Sequence, residues 1–140
     1  MPTPPRTRTA PGPAPHLDLW ALHDLHRDNY RRYAALLLTP DDANGVVRDA
    51  FRELAGHWHD VLAAASPAAC AWQTLRSRVC TLAGPRPLRP VAHLTAPQQD
   101  VLLLHLVLGL PPAAVAALTG TEPAAVHARL RSLAAARPRG

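Results

Sequence analysis

The stretch from Leu94 to Ala136 reads LTAPQQDVLLLHLVLGLPPAAVAALTGTEPAAVHARLRSLAAA and decides the fold of the last third of the chain. Thr95 and Gln98 have the spacing of a capping box, which predicts a helix that continues through the apolar run Val101 to Leu108. Gly109 is placed to end that helix in a left-handed conformation. The stretch therefore opens with a capped and strongly apolar helix.

Two more short helices are predicted after that glycine. A helix is expected from Ala113 to Leu118, because the preceding prolines suit a first turn whose amides have no partners. A turn follows at residues 119–121, where Thr121 is predicted to cap the last helix. Apolar residues at spacings of four and three give that helix one buried face: Val126, Leu130 and Leu133. This order outlines a helix-turn-helix, which lays its last helix in the DNA major groove; an ordinary three-helix bundle is the alternative.

Composition narrows the class of protein. The chain has 140 residues, 48% of them hydrophobic but only 4% aromatic, and it is rich in alanine and leucine without strand-like alternation, so we expect an all-α fold. The net charge of +5 is uneven: residues 81–140 carry six arginines and two acidic residues, whereas residues 17–80 are about neutral. That surplus suits a segment that faces phosphates, although solubilisation by arginine would give the same balance.

Proline-rich segments divide the chain. Residues 1–16 are rich in Pro, Thr and Arg and are expected to be a disordered tail. Helices are predicted at residues 17–38, 42–65 and 68–82, and the proline-rich residues 83–92 are predicted to form an extended, stiff linker. The expected architecture is therefore two small helical domains, residues 17–82 and 93–136, on either side of that linker.

The C-terminal half resembles the fourth conserved region of RNA polymerase sigma factors of the small two-domain, extracytoplasmic-function type. The resemblance is carried by Leu94, Gln98 or Gln99, Val101 to Leu104, Gly109-Leu110, Val115-Ala116, Gly120, Val126, Arg129 and Leu130. Ala114, Glu122, Ala125 and His127 replace the family's usual residues. The helix-turn-helix and the resemblance together place the DNA contacts at Thr121, Ala124, His127, Ala128, Arg129 and Arg131. For the two arginines, a solvated surface is an equal alternative.

The N-terminal half resembles the second conserved region of the same family. DDANGVVRDAFREL resembles the helix that docks on the polymerase β′ clamp, and PAACAWQTLRSRV resembles the segment that leads into promoter melting. The polymerase contacts that this implies are Val46, Val47, Arg48, Asp49, Phe51 and Leu54. The implied melting residues are Trp72, Arg76 and Arg78, although a tryptophan packed in the core is the commoner case. Asn44-Gly45 and Arg48 depart from the family pattern, and Gly45 weakens the helix.

The resemblance implies a sigma factor that directs core RNA polymerase to promoter DNA, with an anti-sigma protein as a further partner. The departures motivate an alternative, a degenerate sigma-like regulator that acts by protein contact with weak or no DNA binding. A one-component repressor would need a ligand pocket in residues 17–80, and no polar cluster there predicts one.

No other class of function is predicted. The sequence has no convincing nucleophile–base pair, glycine-rich phosphate loop or third ligand beside His23 and His26, so we expect no enzyme, metal or cofactor. Two cysteines make neither a disulfide framework nor a zinc site. Residues 1–16 lack the apolar core of a signal peptide, and Val101 to Leu110 is too short to span a bilayer. A cytoplasmic protein without membrane contact is the expectation.

Overall fold

Within residues 14–136, which the computed structural model describes with side chains from 18 to 135, every regular element is helical. The all-α prediction is therefore confirmed. Short elements join the longer helices: a 3₁₀ helix precedes α5, and a π-helix continues it. The elements are α1 (Ala14–Leu37), α2 (Pro40–Gly56), α3 (Trp58–Ala63), α4 (Pro67–Ala83), the 3₁₀ helix (Arg86–Val91), α5 (Ala96–Val101), the π-helix (Leu102–Val107), α6 (Pro112–Thr119) and α7 (Pro123–Ala136).

Side-chain capping sets the starts of α2 and α4. The hydroxyl of Thr39 accepts a hydrogen bond from the Asp42 amide at the start of α2, and the hydroxyl of Ser66 accepts one from the Ala69 amide at the start of α4. Helix α1 begins at Ala14, three residues inside the predicted tail, and residues 1–13 lie outside the described part of the chain.

The predicted second helix is broken in the structure. It ends at Gly56, and His57 leaves helical geometry at φ −141° and ψ 39°. Glycine is a poor helix former, so the chain bends at little cost there. The bend brings Trp58 and Val61 of α3 into the core, where they are 5% and 1% exposed. The single helix predicted over residues 42–65 is therefore wrong.

Aromatic side chains form the centre of the core between α1, α2 and α4. Tyr33 meets the ring of Trp72 edge-on at 4.6 Å, and Tyr30 stacks on Phe51 at 5.6 Å. The hydroxyls of Tyr30 and Tyr33 are buried, and neither has a hydrogen-bond partner among the described residues. Burial raises the pKa of both phenols, so they stay neutral.

The proline-rich linker is helical rather than extended. Residues Arg86–Val91 form a 3₁₀ helix, because the φ that a proline ring imposes, near −65°, falls within the 3₁₀ range. The Gln99 side-chain amide holds its end by donating to the carbonyl oxygens of Val91 and Leu94, at 3.0 and 3.3 Å. The prediction of an extended tether is wrong.

The two halves of the chain pack on each other. One cluster of buried apolar residues extends from Leu19 to Val126, and α4 lies against α6. Ser66 donates to the carbonyl oxygen of Gly120 at 3.3 Å, and Arg32 of α1 donates to that of Leu108 at 3.1 Å. The division into two domains stays a prediction, but the halves are not held apart.

The last third keeps its predicted order with two differences. The Thr95–Gln98 capping box is present, and Gly109 and Gly120 have positive φ angles of 80° and 73°. The apolar run changes from α-helix to π-helix at Leu102, where the Leu108 amide donates to the Leu103 carbonyl. This wider turn accommodates an extra residue.

The start of α7 is the second difference. The Thr121 hydroxyl lies 3.1 Å from that of Thr119, and the Glu122 carbonyl accepts from the amides of Ala125 and Val126. Pro123 is therefore the first helical residue, and Glu122 occupies the capping position, one residue later than predicted. Among residues 14–136, no helix is long and apolar enough for a bilayer crossing.

Candidate functional site

The outer surface of α7 carries few polar groups. Of the residues predicted to contact DNA, Ala124, His127 and Arg131 are exposed, whereas Thr121, Ala128 and Arg129 are half-buried. Val126 is fully buried and fixes the rotation of the helix. The exposed face of α7 therefore offers Arg131 for phosphate, His127 for a weaker polar contact, and alanine methyl groups.

Arg129 faces inward rather than sharing the surface of Arg131. It lines a cleft of about 140 Å³ together with Trp72, Asp100 and Thr121, where α4, α5 and α7 meet. Burial raises the pKa of the Asp100 carboxyl group, and the positive charge of Arg129 is one of the weaker effects that oppose this increase. The structure thus separates the two arginines that the sequence placed together as DNA contacts.

Asp100 is the centre of a buried polar network between the two halves. Its two carboxylate oxygens accept from Trp72 Nε1 at 2.9 Å and from Arg76 Nε at 2.7 Å. Arg76 Nη2 also donates to Gln99 Oε1 at 2.9 Å. The side chains of Arg76 and Asp100 are only 15% and 7% exposed, so this charge-assisted pair is largely shielded from water.

Burial and hydrogen bonding act in opposite directions on Asp100. Burial is the larger effect and raises the pKa of its carboxyl group, whereas the charge of Arg76 and the hydrogen bonds from Arg76 and Trp72 lower it. The carboxylate therefore depends on its two donors for compensation.

Each of the three predicted melting residues has a hydrogen-bond partner within the protein, and two of them are buried or largely buried. Trp72 is 1% exposed, and Arg76 is bound to Asp100 and Gln99. Arg78 Nε donates to Glu53 Oε1 at 2.7 Å, with both side chains 41% exposed. The interpretation of Trp72 as a packing residue agrees with this burial. In this conformation Trp72 is not available to separate DNA bases.

Sequence reasoning missed Asp100, although a signal was present. Asp100 precedes Leu104 by four residues, so the two share one face of the helix, and Leu104 is fully buried. A carboxylate on the apolar face of a helix needs a cationic or hydrogen-bonding partner. That partner lies 24 residues away, at a position that only the fold reveals.

The predicted polymerase-docking residues divide by exposure. Val46, Val47, Phe51 and Leu54 are at most 8% exposed because they form the inner face of α2. The other two residues of that set, Arg48 and Asp49, have side chains that are 66% and 40% exposed and lie 3.5 Å apart. A protein partner as large as the polymerase would therefore meet mainly the polar outer face of α2.

A groove of about 510 Å³ lies between α1 and α2. The sequence predicted no polar cluster for a ligand pocket in residues 17–80, and this expectation is wrong. The groove combines an apolar floor with four arginines, two from each helix: Arg27, Arg31, Arg48 and Arg52. Each pair is spaced by four residues, a signal that was present in the sequence.

Comparisons of this chain with protein-family models, with curated proteins and with solved structures find no match.

Proposed function

We propose that this chain is a sigma-type transcription protein that binds core RNA polymerase and contacts promoter DNA through α7. The observation that carries the proposal is the arrangement of α5, α6 and α7. The left-handed glycines Gly109 and Gly120 separate the three helices, and Val126 holds α7 with His127 and Arg131 outward. A short turn before an outward-facing helix suits entry into the major groove.

The contact with DNA would rest mainly on phosphates. An arginine that neutralises a phosphate releases condensed counterions, so affinity falls steeply as salt concentration rises. The alanine methyl groups of α7 can add only apolar contacts to thymine, so sequence discrimination by this helix would be modest. Polymerase contact would use the outer face of α2, where Arg48 and Asp49 are accessible.

The polymerase part of this proposal is tested with purified full-length chain and core RNA polymerase. We expect the polymerase β′ subunit to be retained by the chain and promoter-dependent transcripts to appear in a reconstituted reaction. If core polymerase is not retained and no transcript forms, the chain is not a sigma factor.

The DNA part is tested by replacing Arg131 and Arg129 in separate variants. Arg131→Ala should weaken promoter binding and reduce the slope of log affinity against log salt by about 0.9, the value for one phosphate contact. Arg129→Ala should leave that slope unchanged, because Arg129 faces Asp100. The matched control is Arg86→Ala, an exposed arginine of the 3₁₀ helix. Equal slopes of log affinity against log salt in all three variants and the parent chain would contradict the assignment of α7 as the helix that contacts DNA.

The second candidate function is regulation through protein contact with little DNA binding. The burial of Trp72 and the pairing of Arg76 with Asp100 and Gln99 favour it, because these two side chains are not free for melting. The test adds the chain to transcription driven by a different, defined sigma factor. A changed transcript yield, with no promoter DNA retained by this chain, would favour the second function over the first.

A further inference from the structure

The groove between α1 and α2 has an apolar end. Leu19 and Phe51 form its floor and are 9% and 8% exposed, whereas the indole of Trp20 is 59% exposed at its edge. His23 bridges the two rings, with its centroid 5.5 Å from that of Trp20 and 4.7 Å from that of Phe51. An exposed tryptophan beside an apolar floor is a surface that an apolar group could cover.

The other end of the groove is basic. Helices α1 and α2 are joined by two residues and lie antiparallel, and His23 is level with Phe51. One turn toward that connection places Arg27 near Arg48, and the next turn places Arg31 near Asn44. Polarity therefore changes along the groove, from rings at one end to guanidinium groups at the other.

Those guanidinium groups are incompletely neutralised. Asp28 approaches Arg27 and Arg31 at 3.7 and 3.5 Å, and Asp49 approaches Arg48 and Arg52 at 3.5 and 3.6 Å. Two carboxylates thus serve four arginines, and neither aspartate lines the groove. The pairs are solvent-exposed and contribute little, so an incoming anion could compete for the arginines.

We propose that the α1–α2 groove binds a small amphipathic anion, with an aliphatic or aromatic body on Leu19, Trp20 and Phe51 and a carboxylate or phosphate head between Arg27, Arg31 and Arg48. The volume of about 510 Å³ falls in the range of small-molecule sites. Residues 1–13 carry two arginines and no acidic residue, and a second copy would present the same arginines, so charge disfavours both as occupants. The site stands whether or not the chain binds polymerase.

The fluorescence of Trp20 is an intrinsic probe of ligand binding at this site. Trp20 is exposed, whereas Trp58 and Trp72 are 5% and 1% exposed, so a ligand in the groove should change mainly the emission of Trp20. Octanoate and octyl phosphate, titrated below their micelle concentrations, should shift the emission to the blue and protect it from acrylamide. 1-Octanol should bind at least tenfold more weakly, and inorganic phosphate should cause no blue shift.

Arginine variants test whether the head group binds between Arg27, Arg31 and Arg48. Arg31→Gln and Arg48→Gln should each weaken octanoate at least fivefold, whereas Arg86→Gln, outside the groove, should leave its affinity unchanged. Trp20→Phe should abolish the optical signal while calorimetry still detects binding. Both arginines are exposed, so thermal melting should be unaltered and loss of affinity would not reflect unfolding.

Several outcomes would overturn the proposal. They are the absence of a saturable shift with either octyl anion, equal affinity for octanol, and equal losses in the Arg48 and Arg86 variants. Protection of Trp20 only by vesicles of anionic lipid, or only by an acidic amphipathic peptide, would reassign the groove to a membrane surface or to a partner helix. A preference between octanoate and octyl phosphate identifies the head group.

Discussion

At the residue scale, Gly120 is the most constrained of the glycines that the structure describes. Its φ of 73° lies in the left-handed region, which disfavours any residue with a Cβ. It also presses against the first turn of α4: a Cβ built there would lie 2.1 Å from Ala69 N and 2.5 Å from Ala69 Cα. Both atoms belong to the backbone and cannot rotate away. Gly109 has a similar φ of 80°, but no atom lies within 4 Å of a Cβ built there. Alanine at Gly109 therefore carries the cost of the left-handed conformation without the cost of a steric contact.

This difference predicts the effect of alanine at the two positions. Gly109→Ala should lower the free energy of unfolding by about 1–2 kcal/mol, the cost of the left-handed conformation alone. Gly120→Ala should cost about 1–3 kcal/mol more, because α4 must move away from the turn. Urea denaturation of both variants measures the difference. Equal losses would show that α4 does not lie against the turn.

Residue-level predictions from sequence succeeded where the interaction is local. The Thr95–Gln98 capping box and the left-handed Gly109 depend on neighbours within about four residues. The pairing of Asp100 with Trp72 and Arg76 joins residues 28 and 24 positions apart, and no spacing rule gives such a partner. Arg129 lines the cleft beside Asp100 where α4, α5 and α7 meet, and this position also depends on the packing of elements distant in the sequence.

At the element scale, the order of the α-helices could be predicted better than their breaks or the 3₁₀ and π segments. The prolines of residues 85–90 were expected to extend the chain, but a 3₁₀ helix satisfies the same φ restriction. The α1–α2 groove was missed for another reason. Its arginine pairs are visible in each helix separately, but their meeting depends on how the two helices pack.

Helix α2 contains an avoidable weakness at Gly45. A Cβ at this position would have Arg48 Nη2 as its nearest neighbour, at 3.7 Å, which is an ordinary contact. Gly45→Ala should therefore raise the free energy of unfolding by about 0.5–1 kcal/mol through helix propensity. The reverse change at an exposed position of α1, Ala21→Gly, should lower it by about the same amount. Thermal denaturation of both variants measures the two effects, and a loss of stability in the alanine variant would refute this account.

At the scale of the whole molecule, the Asp100 network and the α4–α6 packing join the two halves. Arg76→Leu or Asp100→Leu should each cost about 3 kcal/mol of unfolding free energy, because each leaves a buried charge without its partner. The double variant should cost at least about 1 kcal/mol less than the two single losses together, since neither charge then remains.

The exposed pair Arg78–Glu53 is the matched control for this double-mutant cycle. It has the same 2.7 Å distance, but both side chains are 41% exposed. Its coupling energy should be about 0.2–1 kcal/mol, as for other surface ion pairs. Urea denaturation of the seven proteins, which are the parent chain, four single variants and two double variants, gives both coupling energies. A coupling at Arg76–Asp100 no larger than that at Arg78–Glu53 would show that burial does not strengthen the link between the halves.

The π-helix at Leu102–Val107 has a consequence for how this gene can change. A π-turn is an α-helix that holds one additional residue, so an in-frame loss of one codon in this segment would restore an uninterrupted α-helix. Because the wider turn spreads that residue over about the same rotation, the elements after it would keep nearly their present direction relative to α5. Leu104 and Leu110, which are both buried, would then keep their places in the core. An additional codon, by contrast, would rotate everything after it by about 100° relative to α5. Insertions in this segment should therefore be under stricter selection than the loss of a single residue.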